Sequence, residues 1–123
     1  MGLANEITVE QRGPVALFDI KGDITRDSGL PFDRAYNDTD HKVARKILLK
    51  FRESTYFNSE GLKVIIDLLS KAKKNNQQVG ITGLSAHFNK IFGMVGIAKL
   101  AHLFDSEADA LTQWRTSPKG GRP

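Results

Sequence analysis

Ile47-Leu48-Leu49-Lys50-Phe51, then Arg52-Glu53-Ser54-Thr55-Tyr56-Phe57, then Asn58-Ser59-Glu60-Gly61-Leu62 is the stretch on which the fold turns. The short continuous apolar run Ile47 to Leu49 suits a central strand covered on both faces. Arg52 to Asn58 reads as a loop carrying two aromatic residues. Ser59 to Lys74 is an amphipathic helix, with Leu62, Ile65, Ile66, Leu69 and Ala72 on one face and Lys63, Asp67, Ser70, Lys71 and Lys74 mainly opposite. Asn58 is a good N-cap for it, and Lys73-Lys74-Asn75-Asn76 gives a basic last turn and a stop. Gln78 to Thr82 follows as a strand closed by Gly83. A strand, a helix and a strand in this order predict a parallel pair joined by a crossover.

Toward the N-terminus, Ile7 and Val9 alternate with polar residues, Arg12-Gly13-Pro14 signals a turn, and Val15 to Ile20 forms a second strand. Ala16, Phe18 and Ile20 share one face of it and Asp19 the other, so an antiparallel hairpin opens the chain. Gly22 to Gly29 is loop-like. Leu30 to Tyr36 is expected as a short helix with Leu30, Phe32 and Ala35 as its apolar contacts, followed by a break over Asn37 to Asp40. Toward the C-terminus, Ala86 to Phe92 reads as a helix resting on Phe88, Ile91 and Phe92. Gly93 and Gly96 interrupt it, Ile97 to Ala101 resumes as a short helix, and Leu103-Phe104 is a last short strand. Ser106 opens a terminal helix, with Asp109 completing a variant capping box and Ala110, Leu111 and Trp114 available to pack. The expected fold class is α/β: one domain over residues 1–114, a mixed, mostly parallel sheet with an N-terminal hairpin, and about four helices packed mainly on one face. Residues 115–123 are expected to form a disordered tail.

The chain has 123 residues, no cysteine and a net charge of +4. Its length suits one domain able to bury a core without metals or disulfides. The absence of cysteine excludes a disulfide framework, a thiol nucleophile and Cys-ligated zinc or iron–sulfur clusters. No apolar run approaches the ~20 residues of a membrane helix. No basic-then-apolar leader opens the sequence, so a cytoplasmic protein without membrane association is expected. His41, His87 and His102 lie far apart, and Asp38-x-Asp40-His41 has no ligand spacing, so no metal is expected. Ser85 precedes the Ala86 helix as a cap, without a nucleophile elbow around it. The glycines at 80 and 83 form no phosphate-binding loop. No set of acid, base and nucleophile can be assembled, so neither catalysis nor a cofactor is expected.

The central segment resembles the STAS domain family, the fold of bacterial anti-sigma factor antagonists. That family has an apolar strand, a short loop, and Asp-Ser-Ser-Gly-Leu opening an amphipathic helix. Here Asn58-Ser59-Glu60-Gly61-Leu62 stands in that place. Gly22-Asp23-Ile24-Thr25 sits where the family has Gly-Glu-Leu-Asp, and Gly93-Met94-Val95-Gly96-Ile97 with Leu103-Phe104 resembles its C-terminal helix junction and last strand. The resemblance covers roughly residues 6 to 112. It implies a phosphorylation site at Ser59 and a partner-binding surface built from Asp23, Thr25, Asn58, Ser59, Glu60, Gly61, Met94 and Val95. It implies a cycle in which the unmodified protein binds an anti-sigma factor, often a serine kinase, and releases a sigma factor; phosphorylation breaks the complex and a serine phosphatase restores it. The departures are Asn58 for an aspartate, Glu60 for a second serine, Lys50 for an aspartate ending the strand, and Thr25 for the last residue of Gly-Glu-Leu-Asp.

The physics of Ser59 fits such a switch. The first turn of a helix has unpaired amides and a positive dipole end, and a phosphate there would add −1.5 to −2 charges without unfolding the helix. The apolar Gly93 to Ile97 segment is either an exposed partner surface or packing between two helices. Of Tyr56 and Phe57, one should enter the core and the other is free for an interface. Charge is polarised: residues 1–40 carry −4, residues 41–104 carry +8, residues 105–114 carry −3 and the last nine carry +3. Most of the net basicity therefore belongs to the terminal segment, and Lys71, Lys73 and Lys74 suit the helix dipole. An antagonist that is a monomer or weak dimer is the leading expectation. A STAS scaffold or sensor subunit without its own switch is the first alternative, and a small basic nucleic-acid-binding protein the second.

Overall fold

The computed structural model describes residues 5–116, and side chains through Trp114. The chain begins with β1 (Glu6–Arg12) and β2 (Val15–Lys21), an antiparallel hairpin in which Arg12 lies opposite Val15. Gly13 turns the chain with φ +58°, which a residue with a Cβ rarely adopts. Arg12 Nε donates to Glu10 across 2.8 Å and holds that carboxyl below its ordinary range. A 3-10 turn (Arg26–Ser28) leads into α1 (Gly29–Asp38), followed by β3 (Lys46–Lys50), α2 (Ser59–Lys74) and β4 (Gln78–Thr82). Then come α3 (Ala86–Met94), a second 3-10 turn (Ile97–Lys99), β5 (His102–Leu103) and α4 (Glu107–Thr116).

The five strands lie in chain order, β1-β2-β3-β4-β5. Only the β1–β2 pair is antiparallel; the other pairs are parallel. The mixed, mostly parallel sheet expected from the alternation of patterns is therefore present. Ala16, Phe18, Ile20, Ile47, Leu49, Val79 and Ile81 meet α1, α2 and α3 in one continuous core. Leu17 and Leu48 point the other way and form a smaller cluster with Phe104, Ala110 and Trp114. Leu48 is fully buried because α4 covers the second face, which is why β3 reads as an unbroken apolar run.

Several local expectations are corrected. Leu30 is not an apolar contact of α1: it is 61% exposed, and Tyr36 is buried in its stead. The break placed at Asn37 comes two residues later, after Asp38. Leu68 belongs to the buried face of α2, whereas Leu62 and Ile66 are half-buried at its margins. Gly22 to Gly29 contains the first 3-10 turn rather than plain loop. Gly93 does not interrupt α3; the helix ends at Met94, and the reversal falls on Gly96 at φ +85°. The helix over Ile97 to Ala101 is only a 3-10 turn over Ile97–Lys99. The last strand is His102–Leu103, and Phe104 drops from its end into the cluster beneath α4. Ser106 does cap α4, its Oγ accepting from Asp109 N at 3.0 Å. That helix continues through Thr116, two residues past the boundary drawn at 114; the rest of the expected tail, 117–123, lies outside the described residues.

Candidate functional site

The ends of β2 and β3 open at the same edge of the sheet, and the segments leaving them are stitched together. Ile24 pairs with Phe57 in an isolated parallel bridge. Ile24 N–H donates to Tyr56 O at 2.8 Å, and Asn58 N–H donates to Ile24 O at 3.3 Å. Asp23 Oδ1 accepts from the Tyr56 amide at 3.0 Å. Asp23 to Thr25 and Tyr56 to Gly61 are thereby brought into one small region at the start of α2.

Gly61 explains why they can come so close. It is buried in the first turn of α2, and any Cβ on it would collide with the Ile24 carbonyl. Glycine is required there by the approach of two backbones rather than by a positive φ. Gly61 therefore lies beneath the surface it helps to assemble. Asn58 has extended backbone angles, and its Oδ1 accepts from Gly61 N–H at 2.8 Å, the N-cap expected from the sequence. Thr25 is likewise engaged: its Oγ1 accepts from Asp27 N–H at 3.2 Å while its own N–H donates to Ser28 Oγ at 2.9 Å. This reciprocal box fixes the 3-10 turn that packs beside α2.

With the cap supplied by Asn58, Ser59 is left as the first residue of the helix, exposed, and no described group hydrogen-bonds its hydroxyl. Glu60 is exposed beside it, and the exposed Lys63 follows Ser59 by one helical turn. An added negative group at Ser59 would meet the unpaired amides of the first turn and the Lys63 ammonium, against repulsion from Glu60.

The two aromatic residues of the loop part as expected. Phe57 is 3% exposed and packs against Phe51, Phe88 and Phe92, with ring centroids at 5.0, 4.9 and 4.9 Å. Tyr56 is 56% exposed, its ring standing edge-on to Phe88. Phe88 and Phe92 thus dock α3 on the loop that leads into Ser59. At the end of α3, Met94 and Val95 are 75% and 48% exposed, whereas Ile97 is buried. The open choice for Gly93 to Ile97 resolves residue by residue: Met94 and Val95 face outward and Ile97 is core.

Lys50 stands out in the sequence as a replacement for an aspartate, but the ion pairs made at the end of β3 are not visible there. Lys50 Nζ lies 3.0 Å from Glu107 at the start of α4, and Arg52 Nη2 donates to Asp19 at 2.7 Å. The register that sets Asp19 opposite Lys50 was the signal, but it exists only once the strands are paired. Lys71 is held at 2.8 Å by Asp33 and stands over the Tyr36 ring. Among the described residues no group of three or more histidine or acidic side chains could hold a metal ion, and no helix is long and apolar enough to cross a membrane.

The fold is shared with solved proteins. An anti-sigma factor antagonist from Mycobacterium paratuberculosis is similar over 90% of this chain and 94% of its own, at 19% identity and a TM-score of 0.74. The anti-sigma factor antagonist SpoIIAA in its unphosphorylated form is similar over 90% of this chain and 97% of its own, at 13% identity and a TM-score of 0.66. The phosphorylated form of the Bacillus SpoIIAA matches 89% of this chain and all of its own, at 12% identity and a TM-score of 0.59. No curated protein matches the chain in sequence. The family model that describes the STAS domain matches residues 6–110, nearly the whole described sheet and its helices, and the chain belongs to the STAS domain family.

Proposed function

We propose that this chain is an anti-sigma factor antagonist acting in a phosphorylation-controlled partner switch, with Ser59 as the phosphate acceptor. The observation that carries the reading is the exposed hydroxyl of Ser59 on a helix start already capped by Asn58. A phosphate can be added there without dismantling the cap. Asp23, Thr25 and Glu60 surround the site with polar groups, and the exposed Tyr56, Met94 and Val95 supply apolar anchors for a partner. Solved neighbours of the same fold are named as anti-sigma factor antagonists, one of them in both unphosphorylated and phosphorylated forms.

In this reading the unmodified protein, a monomer or weak dimer in the cytoplasm, binds an anti-sigma factor of the serine-kinase type and releases a sigma factor. The kinase phosphorylates Ser59, and repulsion and desolvation at the interface end the complex. A serine phosphatase restores it. The chain itself performs no catalysis and takes no cofactor or nucleic acid. A scaffold without its own switch is the second reading, favoured by Glu60, whose charge opposes an adjacent phosphate.

The experiment is to incubate the protein with ATP and a candidate anti-sigma factor of the serine-kinase type from the same genome, and to locate phosphate by mass spectrometry. Binding of that partner to wild type and to Ser59→Asp is measured in parallel. Phosphate on Ser59 with binding lost in Ser59→Asp is expected. Undiminished binding by Ser59→Asp would remove the switch and leave the scaffold; no binding by wild type would remove the antagonist reading.

A further inference from the structure

On the opposite face of the sheet from α2, between α4 and the beginnings of β2 and β3, lies a cavity of about 330 Å³ lined by Arg12, Pro14, Val15, Lys46, Leu111 and Trp114. We propose that this cavity binds a small amphipathic organic anion, a carboxylate on a short hydrocarbon body. Its volume falls at the lower end of the ~300–1,000 Å³ typical of small-molecule sites. Its walls have the composition such sites share, mostly apolar with a few polar groups that fix orientation. Pro14, Val15, Leu111 and the Trp114 indole supply the apolar part, with Trp114 set edge-on against Phe104.

The charge at the mouth selects an anion. Lys46 holds its ammonium 5.6 Å from the centre of the Trp114 ring, and none of the described carboxylates pairs with it. Arg12, the other cation of the lining, is already engaged by Glu10 at 2.8 Å and by Glu107 at 3.5 Å. Lys46 is therefore the cation free to take a ligand carboxylate, while the hydrocarbon body displaces water from Val15, Leu111 and the indole. A neutral molecule would gain only the apolar contacts, and a cation would meet the Lys46 ammonium.

The site is distinct from the Ser59 surface. Val15 and Lys46 are the first residues of β2 and β3, whereas the switch region follows their last residues, on the side of the sheet that α2 covers. The proposal does not rest on the antagonist reading, and the two can fail separately.

Trp114 is the single tryptophan of the chain, so its fluorescence reports on this cavity directly. The test titrates the protein with octanoate and, separately, with octanol, the neutral molecule of matching body. Octanoate is expected to shift the emission saturably, with half-saturation below about 1 mM, and octanol to bind at least about tenfold more weakly. Lys46→Met, which keeps an apolar stem against the ring, is expected to reduce octanoate binding to the level of octanol. Lys46→Arg, which keeps the charge, is expected to retain it and covers the case in which Lys46→Met fails to fold. Equal binding of octanoate and octanol, no saturable signal with octanoate, or loss of octanoate binding in a folded Lys46→Arg would each overturn the proposal.

Discussion

On one face of the sheet, Phe18, Ile47, Leu49 and Ile81 lie in a continuous core with residues of α1, α2 and α3; on the other, among the described residues, Leu17 and Leu48 form a small cluster with Phe104, Ala110 and Trp114. Neighbouring residues of β3 thus belong to clusters of very different size. On the larger side a lost side chain leaves a void walled by several elements. On the smaller side a single helix can settle toward the sheet. That helix is also held by charge, since Glu107 meets both Lys50 and Arg12. Rigidity is concentrated on the face that carries Ser59, and freedom to adjust on the face that carries the cavity.

The largest effect expected from a single change is on the rigid side. Gly61→Ala would drive a methyl into the Ile24 carbonyl; with backbone on both sides, a loss of more than about 4 kcal/mol is expected in urea denaturation. Next comes the contrast of adjacent residues. Leu49→Ala should cost about 4 kcal/mol and Leu48→Ala about 2–3 kcal/mol, because α4 can close part of the second cavity. Equal losses would break the comparison of the two faces. Asn58→Ala removes the α2 cap and should cost about 1 kcal/mol, with Asn58→Ser restoring most of it. Lys50→Met cuts one of the two ties on Glu107 and should lower stability by no more than about 1 kcal/mol, since the pair is partly exposed. Ser59→Asp should leave the unfolding free energy within about 0.5 kcal/mol of wild type, because its side chain is exposed and favoured by the dipole. Under the proposed switch, its effect belongs to partner binding alone.

Much of this was legible because local pattern and tertiary environment agree. The unbroken run at Ile47 to Leu49 announced a strand covered twice, and Asn58 announced the start of α2. The misses have a common cause. Leu30 is apolar and periodic with Phe32 and Ala35, yet only the packing of α1 decides that it faces solvent. Leu68 lies at the margin of the apolar stripe, and it is buried only because α1 packs on α2 beside it. Gly93 looks like a breaker, but an exposed helix position tolerates glycine at a cost of only ~1 kcal/mol. At the site, Asn58, Ser59 and Gly61 could be placed from sequence. The pairing of Asp23 with the Tyr56 amide, the salt bridges of Lys50 and Arg52, and the cavity beneath Trp114 each join segments distant in the chain, and no spacing along the sequence announces them.

The outer side of β1 bears on the behaviour of many copies together. Among the described residues it is an edge strand of seven residues, with unpaired backbone groups along its free side. Glu6, Glu10 and Arg12 stand exposed on one face of that strand, and Glu10 and Arg12 are already matched to each other within it. A second strand laid alongside would have to desolvate those charges and disturb that pair, which discourages the edge-to-edge stacking that seeds fibrils. Copies of the protein are therefore discouraged from joining along this edge, even at high concentration.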